Sequence, residues 1–90
     1  MALSISNISR TEPDSQILYR LKYHCEVAGF FDNETTTGMT KVFFVTELSP
    51  LGEYSVYWDF DNAPENLGPE GQKVLLEMLQ DLADHDKLPR

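Results

Sequence analysis

Ninety residues with 41% apolar and 24% charged side chains suit one small domain and exclude two separate cores. Fifteen acids against seven Lys and Arg leave a net charge of −8, which argues against nucleic acid as a partner, because neutralising phosphates takes a basic excess. A lone cysteine excludes an internal disulfide, and the sequence shows neither a leader pattern nor a long apolar run, so a cytoplasmic protein with no membrane association is expected.

Residues 1–14 are polar, end at Glu12-Pro13-Asp14 and show no sustained period. They are expected to form a mobile N-terminal arm, adding at most a short edge segment to a single domain over residues 15–90. From Ile17 the odd positions run Ile17, Tyr19, Leu21, Tyr23, Cys25, Val27, while the even ones run Leu18, Arg20, Lys22, His24, Glu26, Ala28. This alternation predicts a strand with one buried and one solvated face. Neighbours on a strand point to opposite sides, so His24 and Cys25 are not expected to act as a catalytic pair, and Cys25 reads as a small buried hydrophobe.

The stretch DNETTTGM supplies turn residues and predicts a hairpin into a second strand over Met39–Leu48. There Val42, Phe44 and Leu48 are placed inward, and Lys41, Phe43, Val45 and Glu47 outward. SPLGE marks the next turn, after which Tyr54, Val56, Trp58 and Phe60 alternate with Ser55, Tyr57, Asp59 and Asp61 in a third strand. Asn62 and Glu65 resemble a capping box around Pro64, and Gly68-Pro69 predicts the start of a longer helix. In that helix Val74, Leu75, Met78, Leu79 and Leu82 form the apolar stripe, with Glu77, Gln80, Asp81 and Asp84 opposite. The fold expected is α+β: a three-stranded antiparallel meander with one face covered by the C-terminal amphipathic helix, β-β-β-α.

The uncovered sheet face then displays Phe30, Phe43, Val45 and Tyr57 beside Arg20 and Lys22. An apolar row of this kind, rich in aromatic residues, predicts an interface with a protein partner or a second copy of the chain. Scattered side chains, or an arm folded over them, are the plainer alternative. A different use of the surface follows from Asp59, Asp61, Glu77, Asp81 and Asp84, whose carboxylates could enter a basic site on a target enzyme as an acidic inhibitor or nucleic-acid mimic; solvated helix and strand-end acids are its alternative. The acids of DFDNAPE depart from calcium-loop spacing at Ala63 and Pro64, so no metal is expected. No zinc spacing, GxSxG or phosphate-binding glycine loop occurs, and neither a cofactor nor an enzymatic activity is expected.

GEYSVYWDFDNAPE followed by a helix resembles, over that stretch alone, the MbtH-like proteins, whose aromatic strand, proline turn and helix assist adenylation domains of peptide synthetases. The tryptophans that family carries after the proline and in its helix are absent from this sequence, and no residue role is carried over.

Overall fold

Among the described residues four strands, not three, build the sheet: β1 (Ala2–Arg10), β2 (Arg20–Phe31), β3 (Glu34–Leu48) and β4 (Tyr54–Trp58), antiparallel in the order β1-β2-β3-β4. A 3₁₀ turn over Glu65–Leu67 leads into the helix α1 (Gly68–Asp84). The computed structural model describes residues 2–31, 34–59 and 62–89, with side chains for 3–29, 39–59 and 62–89.

The additional strand is the segment expected to be a mobile arm. Its alternation is hidden by a bulge: Ser6 pairs with Glu26 but Ser9 with His24, and Asn7 takes a positive φ of 52°. The extra residue restores Ile8 to the face of Leu3 and Ile5, so three apolar side chains reach the core from positions that look aperiodic.

β2 begins three residues later than its alternation suggests. Arg20 N–H donates to the Ile17 carbonyl and Leu48 N–H to that of Tyr19, which makes Ile17–Tyr19 a turn. Ile17 and Tyr19, expected inward, are therefore exposed. A register shift follows Val27, where Gly29 at φ 116° takes a conformation closed to most side chains. β3 extends back to Glu34 through most of the predicted hairpin turn; Asp32 and Asn33 lie outside the described residues. The β3–β4 turn is as expected: Ser49 Oγ accepts from Leu51 and Glu53 N–H, and Gly52 takes φ 84°.

The inward rows meet the helix as predicted. Tyr23, Cys25, Val27, Val42 and Phe44 form one buried cluster with Leu67, Leu75 and Leu79, and Tyr23 stacks on Phe44 at 5.3 Å. Leu48, also placed inward, stays 37% exposed at the end of the sheet. α1 lies chiefly over β4 and β3 and buries Gly71, Leu75, Leu79 and Ala83, spaced one turn apart. Pro69 opens it as expected, but Asn62 and Glu65 make no side-chain cap; Pro64 precedes the 3₁₀ turn, and Asn66 donates to Thr40 Oγ1 at 3.0 Å. The helix stops before Pro89: Asp86 turns left-handed, its N–H bonds to the Ala83 carbonyl and Lys87 N–H to that of Leu82, a Schellman closure.

Gln80 is not on the wet side of the helix. Its amide donates to the Tyr54 carbonyl at 2.9 Å and accepts from Val56 N–H at 3.1 Å, so it occupies the outer edge of β4 as a further strand would.

Candidate functional site

The sheet face away from α1 holds the apolar row to which the sequence assigns a contact role, and a second surface forms at the end of the sheet, where the β1–β2 and β3–β4 connections meet the end of the helix. On the open face, pairing sets Arg20 opposite Glu47, Lys22 opposite Val45, His24 opposite Phe43 and Val45 opposite Tyr57. Arg20, Lys22, Phe43, Val45 and Tyr57 thus share one face, as their parity required. The side chain of Phe30 lies outside those described.

Among the described side chains, polar groups close over much of that face. Val45, set between Lys22 and Tyr57 by the pairing, has no exposed surface at all. Arg20 Nε donates to the Tyr57 hydroxyl at 3.2 Å, Tyr57 donates to the Glu47 carboxylate, and Arg20 lies 3.5 Å from Glu47. Withdrawal from water and the bond to Glu47 raise the Tyr57 pKa, which keeps the phenol a donor; the bond to Tyr57 raises that of Arg20. Beyond this trio, Lys22 pairs with Glu12 at 3.5 Å, Ser9 Oγ meets His24 Nε2 at 3.0 Å, and Asn7 donates to Glu26 at 2.8 Å. Phe43 is half-buried, with the Lys41 ammonium 5.8 Å from its ring centre and the His24 ring at 6.1 Å. Polar side chains from β1, β2 and β3 therefore cover the row that alternation alone presents as bare. His24 and Cys25 stand on opposite faces, and burial pushes the Cys25 thiol up to about 11.

The apolar surface lies at the end of the sheet. A cleft of about 400 Å³ opens there, with Leu21, Tyr23, Thr46 and Tyr54 from the inward rows and Leu18 and Leu48 at the edge. Ala83, Asp86 and Leu88 line it from the helix end, and Arg10 from β1. Tyr23 OH donates to the Pro89 carbonyl at 2.7 Å, which holds the segment after the helix as one wall. Tyr19 and Leu48 also border a second, shallower depression with Pro50 and Ser55. Alternation pointed away from this surface, because it assigned Ile17 and Tyr19 to the core; a large apolar run just before the Arg20–Phe31 strand was its only trace.

The acids do not converge. Asp59 follows β4 and acts electrostatically on Arg20 at the open face, whereas Glu77, Asp81 and Asp84 are exposed on α1 over the opposite face; Asp61 lies outside the described residues. Asp81 pairs with His85 at 3.3 Å, and Asp84 accepts from Gln80 at 3.0 Å. Among the described residues no three His, Cys, Asp or Glu side chains are grouped to hold a metal, and no helix is long and apolar enough to cross a membrane. No family model, no curated protein and no solved structure matches this chain.

Proposed function

We propose that the protein is a non-enzymatic interaction module that seats the apolar side chains of a protein partner in the cleft at the end of its sheet. The observation that carries this is the exposure of Leu18 and Tyr19, at 71% and 64%, on the rim of a cleft already floored by Leu21, Tyr23 and Tyr54. Large apolar side chains so placed around a concave apolar floor favour a partner's anchor residues over water, at about 25 cal/mol per Å² buried before the cost of association. Leu51, 86% exposed in the adjoining β3–β4 turn, extends the apolar surface. The cleft lies at the negative pole of α1 in a molecule of charge −8, so a partner segment with basic residues flanking its apolar anchors is favoured.

A displayed library of random peptides, selected on the immobilised protein and counter-selected on Leu18→Asp, tests the proposal. Peptides with apolar anchors and Lys or Arg flanks should enrich, bind the variant roughly thirtyfold more weakly, and shift the amide signals of Leu18, Tyr19, Leu48 and Leu88. Peptides that bind both forms equally, or that perturb the Arg20–Tyr57–Glu47 face instead, would overturn it. Binding by acidic contact alone would show as affinity that collapses with salt and ignores Leu18.

A further inference from the structure

The two edges of the sheet are treated differently. The outer edge of β4 is occupied by the Gln80 amide, whereas among the described residues β1 has a strand on one side only. An unpaired edge is a template for another strand, and natural proteins usually place a charge or a proline along it. β1 has neither between Ala2 and Ser9; its only interruption is the bulge after Ser6, which confines regular pairing to Ala2–Ser6.

We infer that this edge pairs with the same edge of a second copy, antiparallel about a two-fold axis at Ser4, so that two sheets become one of eight strands. Two further features select a copy of the chain as occupant. α1 lies over β3 and β4, and it leaves Leu3, Ile5 and Ile8 half-buried on the side of the sheet nearest β1. The pairing sets Leu3 of each copy opposite Ile5 of the other and completes their burial in the gap between the two helices. Charge points the same way: two molecules at −8 repel wherever their acids meet, and an uncharged strand is where the approach costs least. The interface is isologous, as a two-fold pair requires, and does not involve the cleft.

Sedimentation equilibrium of the full chain across concentration tests this. The wild type should approach twice the chain mass, more readily at physiological than at low salt. Ser4 is exposed on the open face, so Ser4→Asp should keep the fold by circular dichroism yet sediment as a monomer, its dissociation constant raised at least tenfold by the facing like charges. Ser4→Lys should behave likewise, and an equimolar mixture of the two variants should recover the dimer mass. A wild type that stays at the chain mass up to millimolar concentration, or a Ser4→Asp form as dimeric as the wild type, would overturn the inference. Leu18→Asp should leave the dimer intact, which separates this result from that for the cleft.

Discussion

Val45 shows how far a residue's direction and its exposure are separate properties. Alternation placed it correctly on the face away from the helix, but its complete burial there depends on its surroundings as a whole, with Lys22 and Tyr57 beside it on the neighbouring strands and Phe43 and Glu47 on its own. Parity cannot supply that sum. Val45→Ala should accordingly lower the unfolding free energy by about 2 kcal/mol in urea titrations, a core-like cost on the side without a helix. Cys25 is the simpler case, since both its direction and its burial were legible in the row from Leu21 to Val27. Its thiol ionises in the unfolded chain before it does in the folded one, so its contribution to stability is intact below the ordinary thiol range and is lost as pH climbs from there through about 11. Cys25→Ala should flatten that limb of the stability profile relative to wild type; an unchanged limb would assign the loss to other groups, Tyr57 among them.

At the scale of elements, α1 and the inward rows of β2, β3 and β4 could be read from the chain because each keeps one period over the stretch that meets the core, Leu21–Val27 in β2 and Val42–Phe44 in β3. β1 could not, since the residue added at Asn7 moves Ile8 out of step with Leu3 and Ile5. Gln80 escaped for another reason: it borders the apolar stripe, and only the distance from α1 to β4 decides that its amide reaches backbone instead of water. Removing it in Gln80→Ala leaves Tyr54 C=O and Val56 N–H without that partner, at a cost of about 2 kcal/mol. The Val56 amide should then exchange with deuterium faster than its neighbours in β4, whereas an unaltered rate would mean that the strand edge is protected without the clamp. The cleft went unread through the same kind of gap between pattern and distance: continuing the alternation back to Ile17 made a strand of a turn and set Tyr19 in a buried row, away from Leu18.

For the whole molecule, the balance of charge outweighs the individual pairs. Arg20–Glu47, Lys22–Glu12 and His85–Asp81 are partly or largely exposed pairs of the sort worth little to stability, while fifteen acids face only seven Lys and Arg. Raising salt therefore screens more repulsion than attraction, and the melting temperature should rise between low and physiological ionic strength at fixed protein concentration. A fall would show that the open-face pairs contribute more than their exposure implies. The charge was evident from composition and the α+β class from the periods along the chain; the positions of the edge and the cleft were not, because both depend on which strands become neighbours.

The strands stand in the sheet in chain order, each beside its predecessor, and the helix is the last element to return across them. Such a layout needs no threading and keeps the closing loops short, which lowers the entropic cost of assembling the meander. Until α1 docks, Cys25 lacks the cover of Leu75 and Leu79, with which it shares the core. A brief pulse of thiol reagent during refolding would thus time the docking of the helix, with the only cysteine in the sequence acting as its clock.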